Sequence, residues 1–430
     1  MSYLRNFTGF LAFLCAWPVL AAEPTLPKED PHLPARIDAI EVQGLTRTNL
    51  GVVTREIPFR AGQVVSQDEW DFAILRLWNL NLFDTIDAHV DRDPKTHRSV
   101  AIFKLRERWT LIPLIAFGDG GGVGFLQLGA ADTNLAGRYV TLGAKYERFA
   151  VFDGFQVWLR DPRLMHSMWD ALVMGEQLVR PRQDYADRRL RLATELGWQG
   201  WRDRLRAAWR LTLQRNTMVP RDGSDPGPDP PHIWSREMEL GLRIGRIDTV
   251  RLREGGSAVE VRLSINANDP NFTNHFAQVW LEGQMYAMPG ERWNLAARLQ
   301  AAAQGNAPIP LQFYVGGLEL VRGYPDSAVR TDRYAVLNAE ARFIAWDWHY
   351  LALMPAVFVD AGLAGRQEGG VKPMLSAGGG VRVLFPTLVE SGIRLDFATP
   401  LLKDACPGSC QFFSVGVYQF FDGILTPERR

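Results

Sequence analysis

From residue 108 onward, apolar and polar residues alternate with period two almost to the end of the chain. In 139–149, Val140, Leu142, Ala144 and Tyr146 share one face, and Thr141, Gly143, Lys145 and Glu147 share the other. In 189–198, Leu190, Leu192, Leu196 and Trp198 oppose Arg191, Ala193, Glu195 and Gly197. In 204–214, Leu205, Ala207, Trp209, Leu211 and Leu213 oppose Arg206, Arg210 and Gln214. Val259, Val261, Leu263 and Ile265 oppose Glu260, Arg262, Ser264 and Asn266. A soluble sandwich alternates in the same way, so length and connections decide. The segments run to about ten residues, as a tilted strand crossing a bilayer requires. Counted back from Phe421, they number about sixteen. Alternate turns are mostly short, such as 133–137 and 288–290, while the others include 218–233, 305–333, 364–373 and 401–410. Short turns on one side and long loops on the other predict a 16-stranded antiparallel transmembrane β-barrel over 108–421.

Residues 35–107 have a different texture. The stretch 36–42 alternates and stops at Gly44, which predicts a strand. Thr46 or Thr48 is placed to cap a short helix through Ile57, ended by Pro58. Ser66 and Glu69 form a capping box for a second helix that carries Trp70, Ile74, Leu77 and Trp78 at helical spacing. Strands at 85–90 and 99–105 complete a β-α-α-β-β order, an α+β domain ahead of the all-β barrel. Residues 23–34 are Pro-rich and read as a linker. Residues 1–22 read as a secretory signal: Arg5, an apolar run over 7–20, then Ala21 and Ala22 at the cleavage site.

Composition narrows the chemistry. A formal net charge of +0 gives no electrostatic footprint for nucleic acid. Six lysines against 42 arginines fit a GC-rich genome, and they also fit ion pairs in confined, partly dry places. Cys15 lies in the signal. Cys406 and Cys410, in Cys-Pro-Gly-Ser-Cys, are expected to form a small-loop disulfide in an oxidising compartment. Two thiols without a nearby His are too few for a metal site. Histidines are sparse, no Ser/His/Asp arrangement has supporting context, and Gly378, Gly379 and Gly380 sit in a strand pattern rather than a phosphate loop. These readings exclude an enzyme, a cofactor and a metal from the expectation. Trp158, Trp169, Trp198, Trp201, Trp346 and Trp348 fall near strand ends, where aromatic girdles anchor a barrel at the headgroup level.

One loop stands apart. Val321, Arg322, Gly323 and Tyr324, in 305–333, bring a bulky apolar residue, a guanidinium, a glycine and a ring together where barrel loops are usually small and polar. That suggests a loop that packs into something, with carboxylates downstream to receive the guanidinium. At this point the chain resembles the BamA/TamA-type superfamily of POTRA-plus-barrel outer-membrane proteins, which includes the bacterial surface-antigen barrels and two-partner-secretion transporters. Ile40 to Leu45, Pro58, Gly62 and Leu82-Phe83-Asp84 resemble one POTRA domain, over 35–107. Asp132 to Gly137 resembles the family's early barrel turn, Val321 to Tyr324 its signature loop between the eleventh and twelfth strands, Phe358 to Gly362 its Phe-x-Asp-x-Gly strand, and Gly392 to Ala398 its next-to-last strand. Only one POTRA-like segment precedes the barrel, and residues 422–430 continue beyond the last strand as a tail.

The resemblance implies an inward-folded loop in which Arg322 meets Asp360 first and Glu340 second. It implies an outer-membrane location with the POTRA in the periplasm, where it receives an unfolded or secreted polypeptide client for insertion or translocation. The lipid of the membrane is the other partner, and oligomerisation is left open. The rival expectations are a passive pore and an orphan structural barrel that binds a partner.

Overall fold

The computed structural model describes residues 30, 33–119, 124–182, 184–269, 271–365, 370–388, 392–402 and 412–417. The signal, most of the linker, Cys406, Cys410 and the tail lie outside them.

The N-terminal part is a small α+β domain in the order β-α-α-β-β. Ala39–Gln43 pairs in parallel with Ser99–Glu107, which pairs antiparallel with Phe83–Arg92. The helix Gln67–Asn79 begins at a complete capping box: the Ser66 side chain accepts from the Glu69 backbone, and the Glu69 carboxylate accepts from the Ser66 backbone at 3.0 Å. It lays Trp70, Ala73, Ile74 and Leu77 on the sheet, where Phe103, Leu105 and Ile86 complete the core. Burial of this amphipathic face, rather than propensity, holds so short a helix. The first helix, Leu50–Thr54, is shorter than its sequence suggests and starts after Asn49, with no side-chain cap. Thr46 and Thr48 do not cap it. The Thr46 hydroxyl and the Thr48 backbone N–H instead donate to the Glu107 carboxylate at 2.5 and 2.8 Å.

Sixteen long strands then follow one another around a single antiparallel sheet, from Leu111–Asp119 to Phe412–Val417. The ladders are long; His232–Val250 and Arg253–Asn268 pair over sixteen residues. Among the described residues the last strand meets the first over two pairs, Ser414 with Gly118 and Val415 with Phe117. The outward face is apolar, with Leu190, Leu192, Leu240 and Val357 each more than half exposed. The inward face is charged and buried: Lys145, Glu147, Glu176, Arg191, Glu195, Arg210 and Arg262 all point inside. That inversion of the soluble pattern is what a lipid-facing barrel requires. No helix among the described residues is long and apolar enough to cross a membrane.

The tryptophans split. Trp169, Trp198, Trp201, Trp346 and Trp348 are exposed at the barrel end that carries the N-terminal domain, and Trp346 and Trp348 stack at 6.2 Å. Trp158 does not belong to that girdle. It is 1% exposed and points inward, with Leu172 and Met174 in the same buried cluster. Its position near a strand end is the same as theirs, but its parity in Phe152–Asp161 puts it on the opposite face.

Candidate functional site

The long connection between the eleventh strand, Trp293–Gln304, and the twelfth, Arg333–Phe343, turns back into the barrel. Phe313–Val315 and Val329–Thr331 pair as a short ladder. A one-turn helix, Gly317–Leu320, then delivers Val321, Arg322, Gly323 and Tyr324 to the inner wall. Val321, Arg322 and Tyr324 are each less than 5% exposed as residues.

Val321 seats over Gly362 of the thirteenth strand, Ala352–Gly365. A Cβ at Gly362 would come within 2.9 Å of the Val321 Cγ2 atom, so only glycine leaves room for the contact. Gly323 has φ +85 and lies against the backbone of the fifteenth strand, Gly392–Pro400; a Cβ there would sit 3.3 Å from atoms of Ala398, Thr399 and Pro400. Both the left-handed conformation and the close approach call for glycine. The Tyr324 hydroxyl accepts from the Leu375 backbone N–H at 3.0 Å and reaches the Leu402 carbonyl oxygen at 2.5 Å, which satisfies a backbone donor inside the wall.

Arg322 is the centre of the site. Its Nε donates to Asp360 Oδ2 and its Nη2 to Asp360 Oδ1, each at 2.8 Å, and its backbone N–H donates to Asp360 Oδ2 at 3.0 Å. Its Nη1 donates to Glu340 Oε2 at 2.9 Å. The guanidinium carbon stands 3.4 Å from the centre of the Phe358 ring. Alternation along the thirteenth strand puts Phe358, Asp360 and Gly362 on one face, so one five-residue segment supplies the stacking ring, the fork and the seat for Val321. A two-point fork with a stacked ring uses features that arginine has and lysine lacks.

Neighbouring strands extend the cluster. Asn338 Nδ2 donates to Asp360 Oδ1 and to the Leu320 carbonyl, both at 2.8 Å. Glu340 Oε1 accepts from Arg342 Nε at 2.8 Å and from Arg382 Nη2 at 2.9 Å. Asp396 pairs with Arg382, with Arg394 at 3.3 Å and with Arg322 at 3.6 Å. Arg342 reaches Glu254 at 3.9 Å. Four guanidinium groups thus face four carboxylates: Arg322, Arg342, Arg382 and Arg394 against Glu254, Glu340, Asp360 and Asp396. Every one of these charges is removed from most of its water, so their mutual neutralisation is what makes the burial tolerable.

The structure therefore places Val321, Arg322, Gly323, Tyr324, Asp360 and Glu340 in one contact. Arg382 was not singled out from the sequence, and Arg394 and Asp396 were read only as part of the 392–398 strand motif, not as partners in this cluster. Each falls on the inward parity of its strand, and a search for inward charges on the strands next to Asp360 would have found them. A second charged contact also went unread. Glu56 of the N-terminal domain, 1% exposed, accepts from Arg163 Nε at 2.9 Å and from Arg76 Nη2 at 2.6 Å. Burial alone would raise the Glu56 pKa, but Arg163, Arg76 and Arg55 hold it below the usual carboxylate value. Arg163 lies in the turn between the fourth strand, Phe152–Asp161, and the fifth, Trp169–Pro181, so this pair ties the domain to the barrel end. Asn79 adds a reciprocal pair with Asp248 and the Thr249 backbone. No cluster of metal-ligating residues occurs among the described residues.

Several known proteins share this architecture. BamA from Haemophilus ducreyi lacking POTRA domains 1–3 superposes with a TM-score of 0.55 at 16% identity, covering 89% of this chain and 84% of that one. CdiB from Escherichia coli superposes with a TM-score of 0.60 at 12% identity, over 90% and 76% of the two chains. CdiB from Acinetobacter baumannii gives 0.57 at 12% identity, over 89% and 73%. At these identities the likeness is one of fold. No curated protein sequence matches the chain. The sequence model of the Omp85 superfamily domain matches residues 154–421, which is more than half of the chain and includes the Arg322 loop and its wall. The chain belongs to the Omp85 superfamily of outer-membrane barrel proteins.

Proposed function

We propose that this protein inserts a polypeptide client into the outer membrane or translocates one across it. In this reading the N-terminal domain is a single POTRA domain in the periplasm, and it receives the client. The Arg322 loop plugs the lumen from the opposite end. The observation that carries the reading is the contrast between a filled interior and a narrow seam. The loop and its charge cluster occupy the inside, whereas the first and last strands share two residue pairs among the described residues. On either side of that seam the first and second strands share nine pairs, and the fifteenth and last share six. A client strand that pairs with an exposed barrel edge gains main-chain hydrogen bonds by β-augmentation. The free energy comes from client folding and burial in lipid, so no nucleotide is required.

The filled interior also argues against a passive pore. The test is quantitative outer-membrane proteomics of a deletion strain. The expected result is depletion of one or a few outer-membrane or secreted proteins, restored by the wild-type gene. Normal levels of every such protein would overturn the proposal.

A further inference from the structure

Three arginines lie on the wrong face of the barrel. Arg188, Arg215 and Arg236 belong to the sixth, seventh and eighth strands, Ala186–Gly200, Leu205–Val219 and His232–Val250. Register puts all three on the outward side. Arg188 pairs with Thr217, two residues from Arg215 on the same face. Arg215 pairs with Trp234, two residues from Arg236 on the same face. Each is thus the diagonal neighbour of the next, with Cα atoms about 7–8 Å apart.

The row lies close to level around the barrel. Leu205, where the seventh strand begins, pairs with Ile244, but the eighth strand continues to Val250 before it turns. Points of equal height therefore step toward the domain end from one strand to the next, and the arginines step the same way. Below them the face is apolar: Leu190, Leu192, Leu213, Met238 and Leu240 are 41–63% exposed. From Arg188 to Trp198 is about ten residues, which at roughly 3.4 Å each and a tilt near 40° rises about 26 Å. That is one apolar membrane thickness, with the tryptophan at one edge and the guanidinium groups at the other.

Among the described residues none of the three makes an ion pair or a side-chain hydrogen bond to the protein. Arg236 stacks 3.8 Å from the centre of the Phe272 ring, and Arg215 lies 5.8 Å from that of Trp234. Arg215 Nε is buried without a partner. Asp222, Asp225 and Asp153 line the cavity beside Arg188 and keep their charge while accepting from the Ser224 and Gly227 backbones, both at 3.0 Å, and from Tyr146; among the described residues none of them forms an ion pair with Arg188. The outward faces of these three strands carry no carboxylate from Arg188 to Trp198, Leu205 to Thr217 or His232 to Ile244.

We propose that this row binds the phosphorylated sugar headgroup of an acylated glycolipid in the outer leaflet. Guanidinium groups recognise phosphate through paired N–H donors. A headgroup with phosphates on two sugars spans adjacent diagonal positions, while several acyl chains lie on the leucines below. The assignment rests on the reading that the barrel end opposite the N-terminal domain faces the cell exterior. It places a fixed lipid on the wall opposite the seam side of the sheet, where it would hold that wall in the membrane.

The test uses the full-length protein in phosphatidylcholine nanodiscs doped with bisphosphoryl lipid A, with retained lipid measured by native mass spectrometry. Dephosphorylated lipid A and phosphatidylglycerol serve as comparison probes. Wild type is expected to retain bisphosphoryl lipid A roughly tenfold over either. The combined Arg188→Gln, Arg215→Gln, Arg236→Gln variant is expected to lose that preference. If the combined variant does not fold, each single substitution is expected to lower retention about two- to threefold. Unchanged retention in the variants overturns the proposal. Equal retention of phosphatidylglycerol reduces the row to a general anion site, and displacement by millimolar inorganic phosphate assigns it to free phosphate; either result overturns the glycolipid. The readout involves no client, so its failure is separate from failure of the transport reading.

Discussion

Replacing Arg322 by alanine removes three side-chain donors at once and strands the groups that accepted them. Asp360 loses both halves of its fork and Glu340 loses one of its three arginine contacts. The stacking on Phe358 goes as well. Asp360 is 0% exposed, so water does not readily replace the lost donors without the loop leaving the wall. Removing one partner of a buried pair of this kind costs about 3–5 kcal/mol, mostly the penalty of the abandoned charge. Docking of the loop is therefore expected to weaken by about two to three and a half orders of magnitude, at 1.4 kcal/mol for each factor of ten. The barrel, which has its own ladders, is expected to stay assembled. Hydrogen exchange of the Val321 to Tyr324 amides reads the change, because their protection reports local opening. A double-mutant cycle with Asp360→Ala isolates the pair: because that variant leaves no carboxylate stranded at 360, the combined variant should cost less than the sum of the two single ones. Arg322→Lys should recover only part of the loss, since an ammonium cannot form the fork. Unchanged protection in Arg322→Ala, or additive effects in the cycle, would refute the reasoning.

Other outcomes follow from the same geometry. Gly323→Ala should lower loop protection about tenfold, because the left-handed conformation alone costs about 1–2 kcal/mol for a residue with a Cβ, and hydrogen exchange measures it. Tyr324→Phe leaves the Leu375 N–H without its acceptor and should cost about 1–3 kcal/mol of loop docking, read in the same experiment. Glu56→Gln should release the N-terminal domain from the Arg163 turn, seen as a broadened distance distribution between spin labels on the two. In wild type the same release is expected on acidification. The Glu56 pKa is depressed, so its contribution is present above the ordinary carboxylate pKa and is lost as pH falls through the lower folded value. A distance distribution unchanged by either perturbation would remove Glu56 from the interface.

Much of the fold was legible because period two is a strong signal when it persists over hundreds of residues. Arg191 and Glu195 opposite Leu190 and Leu196 state the parity of a strand, and parity assigned the inside and outside of nearly every segment. Its limit is seen at Trp158, where proximity to a strand end suggested a girdle and parity dictated burial. Thr46 and Thr48 show a second limit. A threonine before a helix is a cap only if no better acceptor competes, and Glu107, sixty residues away, takes both donors. The Arg322 contact was approachable because its parts lie on short motifs. The Glu56–Arg163 pair was not, since it joins positions 107 residues apart across two domains with no local pattern at either end. The outward arginines were in view as residues, but their meaning depends on register between three strands.

The most direct measurement of the proposed mechanism locks the seam. Cysteines at Gly118 and Ser414, which are register partners, with Cys406 and Cys410 replaced by serine, would join the first strand to the last on oxidation. Assembly or secretion of the client identified by proteomics is predicted to stop when the crosslink forms and to resume on reduction. Client levels that stay normal with the seam fully crosslinked would contradict the account.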